Sequence, residues 1–194
     1  MKTKNIVQIF LLLLSLSITS TSHGATLSVD MISGGSLENS LSSNTGSSIS
    51  IDIILNNTLD LSGFEFDLEF DNSIMSATSI VSGDIFGLDT FSLENQINSN
   101  SIGFSETTLA FVGLDVLLPT ILATISFDVI DIGAGVLNLE NVILSDSFGL
   151  EIGSVSLNSA NLIAESTSSV PEPSIFWLFS AGLLGVLSVR TKTS

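Results

Sequence analysis

Residues 64–71, Phe-Glu-Phe-Asp-Leu-Glu-Phe-Asp, alternate an apolar side chain with a carboxylate at every step. A strand sends successive side chains to opposite faces, whereas a helix would scatter these carboxylates around its girth. The period of two therefore predicts a strand with Phe64, Phe66, Leu68 and Phe70 facing a core and Glu65, Asp67, Glu69 and Asp71 facing away. The same period recurs at residues 26–31, 48–55 (with Ile49, Ile51 and Ile53 on one face), 101–105, 124–129, 136–144 and 155–163. Turn signals separate the runs: Gly34-Gly35, Asn56-Asn57, Asp71-Asn72, Ser82-Gly83-Asp84, Asn98-Ser99-Asn100 and Gly133-Ala134-Gly135. Short alternating strands punctuated in this way predict an all-β antiparallel sandwich. Only residues 107–123 read poorly as alternation, and there a loop or a single helical turn before Thr124 is expected.

Charge placement narrows the function classes. The basic residues are Lys2, Lys4, Arg190 and Lys192, so nothing between residues 5 and 189 carries a Lys or Arg, while all 20 acidic residues lie from Asp30 to Glu172. Such a body repels polyanions. Nucleic-acid binding requires clustered cations to displace counterions and is excluded on this ground; attraction to an anionic membrane surface fails likewise. There is no cysteine, hence no thiol nucleophile and no disulfide framework. With 44% hydrophobic residues and 12 Phe, the chain still has the material for a core.

Both ends read as processing segments. Lys2 and Lys4, the apolar run 6–16 and the small-residue stretch ending Ser22-His23-Gly24-Ala25 have the three-part layout of a secretory signal peptide, residues 1–24, with cleavage after Gly24 or Ala25. At the other end a Ser-rich spacer, 166–169, leads to Val170-Pro171-Glu172-Pro173, an apolar run 174–189, and then Arg190 and Lys192. As a helix that run spans about 24 Å, a little under a typical hydrocarbon core of about 30 Å, and the trailing cations hold its end on the cytoplasmic side. Pro-Glu-Pro, a short hydrophobic helix and a terminal basic pair, in that order over residues 170–194, resemble the PEP-CTERM sorting signal of Gram-negative bacteria. The resemblance implies processing by exosortase after transient anchoring in the inner membrane. Val170, Pro171, Glu172, Pro173, Arg190 and Lys192 are then recognition residues for another enzyme.

The order of the central runs carries a second resemblance. Ser62 to Met75, an alternating strand ending in the aromatic-Asp pair Phe70-Asp71 before a turn, is similar to the central motif of cohesins, with Asn72 where those modules usually carry proline. The strand 49–57, the later strand 122–129 and the small-residue segment 133–141 follow in the cohesin order. The resemblance covers residues 25–165 and implies a jelly-roll sandwich of about nine strands that docks a protein such as a dockerin-like module.

The chemistry available is narrow. The single histidine, His23, falls at the signal cleavage region, which leaves no base for Ser-His or Cys-His catalysis. Carboxylates two apart on a strand lie about 6.6 Å from one another, a spacing that suits an acid–base pair around a water. A glycosidase, however, also needs a platform for the sugar, and residues 25–165 contain no Trp or Tyr. No cofactor is expected beyond weak surface calcium at Asp71-Asn72, Asp84, or Asp128 with Asp131, none of which follows a spaced calcium-loop pattern. Asn56-Asn57-Thr58 has the form of a glycosylation acceptor but reads as a turn. The expectation is a non-enzymatic, exported binding or adhesion module at the cell surface or in the extracellular matrix, docking a protein or a polysaccharide. Glu65, Asp67, Glu69, Asp71 and Asn72 are the candidate partner-facing or calcium residues. A structural matrix protein with no specific partner, or a polysaccharide-active enzyme, are the alternatives.

Overall fold

A computed structural model of the chain describes residues 24–34 and 36–166. The signal segment up to His23, the sorting residues Val170, Pro171, Glu172, Pro173, Arg190 and Lys192, and the helix expected at 174–189 lie outside the described residues. Among those described, no helix is long and apolar enough to cross a membrane.

The described chain forms thirteen strands: β1 (Ala25–Asp30), β2 (Ser40–Asn44), β3 (Ser48–Asn56), β4 (Thr58–Leu61), β5 (Gly63–Phe70), β6 (Met75–Ser82), β7 (Thr90–Ile97), β8 (Ser101–Thr108), β9 (Leu114–Val116), β10 (Thr120–Val129), β11 (Gly133–Ser145), β12 (Val155–Asn158) and β13 (Ala160–Glu165). Every alternating run of the sequence is strand, the last of them divided at Ser159 into β12 and β13. The sandwich is the one expected. Four strands of three to five residues, β2, β4, β9 and β12, bring the number above nine.

The strands form a five-stranded sheet, β12-β1-β3-β10-β6, packed on a six-stranded sheet, β2-β13-β11-β5-β8-β7, with β4 and β9 as a separate ribbon. Pairing is antiparallel except where β1 meets β12 and where β13 meets β2. Parallel partners cannot be joined by a hairpin. Here nearly the whole domain is the crossover between β1 and β12, which holds the two ends of the fold together.

Two local expectations are corrected. Residues 107–123 hold no helical turn: β8 runs on to Thr108, β9 pairs with β4, and β10 begins at Thr120. The described residues instead make a short 3₁₀ turn at Gly87–Asp89. Gly133-Ala134-Gly135 is not a turn but the start of β11. A Cβ on Gly133 would stand 2.5 Å from Ile74 Cδ1, and one on Gly135 would stand 2.6 Å from Met75 Cε. The missing side chains leave the room in which Ile74 and Met75 pack over the strand.

Between the sheets, Leu27, Val29, Ile51, Ile53, Leu55, Ile125 and Phe127 of one layer face Phe66, Leu68, Ile102, Phe104, Leu137 and Leu162 of the other, all buried. Burying each such side chain contributes about 1.5–3 kcal/mol, which makes the alternation of the sequence the main determinant of the fold. Phe64, Phe66 and Phe104 stand within 6.4 Å of one another, centroid to centroid, and Phe70 meets Phe127 edge-on at 5.1 Å. These separations are in the favourable range for aromatic pairs.

Candidate functional site: the outer face of the six-stranded sheet

The acidic row of β5 belongs to the middle of the six-stranded sheet, between β11 and β8. Its register with β8 sets Glu65 beside Ser105, Asp67 beside Gly103 and Glu69 beside Ser101. On the other side β11 places Ile143, Glu140 and Asn138 beside the same three residues. β7 then adds Glu94 opposite Ser105. Five carboxylates, Glu94, Glu65, Asp67, Glu69 and Glu140, thus form a belt across one outer face.

Two backbone features shape the belt. Gly103 leaves a notch, where an added Cβ would fall 2.8 Å from Glu94 Cδ and 3.4 Å from Asp67 Oδ1, so both carboxylates lean over the glycine. In β11 the register with β5 shifts between Glu140 and Ile143, and Asn141 takes a left-handed backbone at φ 48°. A bulge of this kind re-aims a side chain. Here it lets Asn141 Nδ2 donate to Asp67 Oδ2 at 2.7 Å. Among the described residues no hydrogen bond reaches the carboxylates of Glu65, Glu69, Glu94 or Glu140.

Half-exposed apolar side chains flank the belt. Phe91, Leu93 and Ile143 lie on one side, Val136 and Ile163 on the other. A shallow hollow of about 150 Å³ at Gly63, lined by Leu93, Glu65, Thr107, Ile143 and Ser145, marks one end of β5. A second, of about 230 Å³, lies between Glu69, Asp71, Asn100, Val136 and Asn138 at the other. Both are open dents, not clefts.

Asp71 and Asn72 turn the corner beyond β5 and stand apart from the row. The Ser73 hydroxyl donates to Asp71 Oδ1 at 2.6 Å and the Ser73 N–H at 2.9 Å. These two bonds hold the Asp71 carboxyl below its usual range, and they make it the cap of a turn, since its carbonyl also receives the Ile74 and Met75 N–H groups. Of the other surface acids, Asp128 Oδ1 accepts from the Ser48 hydroxyl and Asp131 Oδ1 from the Ile132 N–H, while Asp84 sits in the turn after β6. Among the described residues, no three His, Cys, Asp or Glu side chains gather as a metal-holding group. Asn57 has φ 61° and Thr58 is buried, as a turn and not an exposed glycan acceptor requires.

The sequence reading missed Glu94 and Glu140. Glu140 lies on the polar phase of a run already recognised. Glu94 was signalled only indirectly: the turn Asn98-Ser99-Asn100 implies a partner strand before it as well as after it, and β7 is that strand.

Comparison with known proteins finds likenesses for two parts of the chain. The PEP-CTERM protein-sorting motif matches residues 169–192. No curated protein matches the chain. Among solved structures, the non-cellulosomal cohesin of Archaeoglobus fulgidus is similar with TM-score 0.59 at 16% identity, over 75% of this chain and 94% of that one. The seventh ScaB type I cohesin of Pseudobacteroides cellulosolvens gives 0.61 at 14% identity, over 77% and 97%. The OlpA cohesin of Clostridium thermocellum, solved as a type I cohesin–dockerin complex, gives 0.57 at 14%, over 73% and 99%. The described domain has the cohesin fold. This chain joins that sandwich to a PEP-CTERM sorting motif, which addresses it for export.

Proposed function

We propose that this chain is a non-enzymatic docking module, exported and released from a transient inner-membrane anchor by exosortase, that holds a protein partner at the cell surface or in the extracellular polymer matrix. The observation that carries the reading is the belt of Glu94, Glu65, Asp67, Glu69 and Glu140. These carboxylates are exposed or half-exposed on the outer face of one sheet, flanked by Phe91, Leu93, Ile143 and Val136, in a domain with no cation of its own. Charge complementarity at a rim with apolar anchors beside it is how specific interfaces gain both steering and affinity. The partner this face suits carries Lys or Arg among apolar side chains. Solved neighbours of the fold in complex with dockerins support a dockerin-like module as that partner.

The test is capture on the immobilised chain. Dockerin-like modules made by the producing cell bind saturably, and the variant Glu65→Lys/Asp67→Lys/Glu69→Lys loses at least about tenfold in affinity. Equal capture by the variant overturns the choice of face. If nothing is retained at micromolar concentration, the chain is a hydrated matrix protein without a specific partner. Binding on a glycan array in place of protein capture makes the ligand a polysaccharide, and release of reducing sugar overturns the non-enzymatic reading.

A further inference from the structure

The opposite outer face, on the five-stranded sheet, conceals a pair of acids that the docking reading does not use. Asp30 on β1 and Asp52 on β3 are partners in the ladder and are only 2% and 1% exposed. Antiparallel partners stand about 4.5–5.5 Å apart with side chains on the same face, so the two carboxylates share one small volume. Asp30 Oδ1 accepts the N–H groups of Ile32 at 3.2 Å and Glu38 at 2.9 Å, which pins the segment after β1 to the sheet. Asp52 Oδ1 accepts the Thr124 hydroxyl at 2.6 Å. Thr124 is the ladder partner of Asp52 on β10, the side away from Asp30.

That contact leaves Asp52 Oδ2, which is buried without any hydrogen-bond partner. Oδ1 is taken by Thr124 on β10, and the neighbour of Asp52 on the other side of the ladder is Asp30 of β1. A buried carboxylate oxygen with neither donor nor counter-charge is strongly disfavoured. No Lys or Arg exists between residues 5 and 189 to supply the charge.

We propose that Asp30 and Asp52 bind one calcium ion. All the donors available here are oxygens, the ligand type of a hard dication, and two carboxylates match its charge. With calcium–oxygen distances of about 2.3–2.6 Å, one ion bridges two carboxylates at ladder separation. Among the described residues no third acidic side chain joins them, so the rest of the shell would have to come from neutral oxygens. Zinc is disfavoured by the lack of His and Cys among the described residues. The ion ties β1 to β3 and, through Asp30, to the segment that Asp30 pins. It is separate from the surface acids Asp71, Asp84, Asp128 and Asp131.

The experiment is calorimetric titration of the full chain, in detergent micelles and stripped by a chelator, with calcium chloride, and with magnesium chloride for contrast. The expected result is one saturable calcium site with Kd of about 10⁻⁴–10⁻³ M, the range of extracellular modules. In about 10 mM calcium the unfolding temperature then rises by about 5 °C. Asp52→Asn, which keeps the shape and removes the charge, weakens binding at least about tenfold, while Asp128→Asn on the same sheet does not. Absence of saturable binding to the unmodified chain overturns the proposal, as does undiminished binding by a folded Asp52→Asn. Because the first readout uses the unmodified chain, a variant that fails to fold leaves the test decisive.

Discussion

The two outer faces of the sandwich are made from strands of the same alternating kind, yet their polar side chains end in opposite situations. On the five-stranded sheet the Ser48 hydroxyl reaches Asp128, Ser50 meets Ser126, Thr78 donates to the Ser126 carbonyl and Thr124 donates to Asp52. On the six-stranded sheet the Thr107 hydroxyl reaches the Ser62 carbonyl and the Asn141 amide reaches Asp67, but among the described residues no side-chain donor reaches Glu65, Glu69, Glu94 or Glu140. The difference follows from side-chain chemistry. Hydroxyls both donate and accept, so neighbours on adjacent strands satisfy one another. Ionised carboxylates only accept, and without Lys or Arg in the domain a row of them cannot close on itself. On one face the exposed polar groups are largely paired as folded, the buried Asp30–Asp52 pair apart; the other face gains from a donor brought from outside.

Both faces rest on the same core, so the largest effect on the comparison comes from removing it. Phe66 is fully buried and packs against Phe64 and Phe104. Phe66→Ala is expected to cost about 3–5 kcal/mol in urea denaturation. Both faces should be lost in one transition, so separate transitions for the two sheets would show that they do not share a core. Next comes the hydroxyl lattice. Thr124→Val strips Asp52 of its one donor inside a buried site and is expected to cost about 1–3 kcal/mol. Ser50→Ala removes an exposed hydroxyl from the same sheet and should stay within about 0.5 kcal/mol. Equal costs for the two would mean that the lattice contributes nothing specific at its buried centre.

What the sequence disclosed tracks how local the determinants are. Phe64 to Phe70 and Ile49 to Leu55 announce their strands because burial acts at a period of two within a few residues. β7 is hard to read because it is an edge strand whose outer and inner sides are both largely exposed, so Leu93 and Asn95 carry no contrast. Gly133 and Gly135 imitate a turn because their role is set by Ile74 and Met75, some sixty residues away in sequence. The belt was half legible for the same reason: Glu65, Asp67 and Glu69 lie on one strand, but Glu94 and Glu140 join them only through register. The buried pair Asp30–Asp52 had no local signal at all, since each acid occupies the polar phase of its own strand.

A third effect concerns the carboxylate that joins the two sheets. Glu106 of β8 points inward, and its Oε2 accepts the Ser82 hydroxyl of β6 at 2.9 Å. Burial pushes its carboxyl above the usual range of 4.5, the Ser82 bond opposes that, and nearby Asp84 adds to the rise. A raised acid holds its proton better in the folded than in the unfolded chain. Its contribution is therefore most favourable below the ordinary value and is lost as pH rises through the raised one. Glu106→Gln keeps an amide for Ser82 and removes the charge. It should stabilise the chain at pH 7 and lose that advantage below pH 4.5, the ordinary value of the group. Denaturation at both pH values checks this; an advantage independent of pH would remove the charge from the explanation.

The smallest effect is the sharpest test of the contrast between faces. If the acids of the six-stranded sheet repel one another without partners, Glu69→Gln should not destabilise, and should gain a few tenths of a kcal/mol at low salt, the scale of exposed charge interactions. At about 1 M salt the screening length falls to about 3 Å and the gain should vanish. Asp128→Asn on the other face is the matched control. There the carboxylate is the acceptor for Ser48 at 2.6 Å, so removing its charge weakens a charge-assisted bond and gives no gain. Opposite signs for two surface carboxylates of one domain, converging as salt rises, would locate the difference in pairing. Like signs would leave the two faces electrostatically equivalent, and the argument for a cation-bearing partner at Glu65, Asp67 and Glu69 would lose its physical basis.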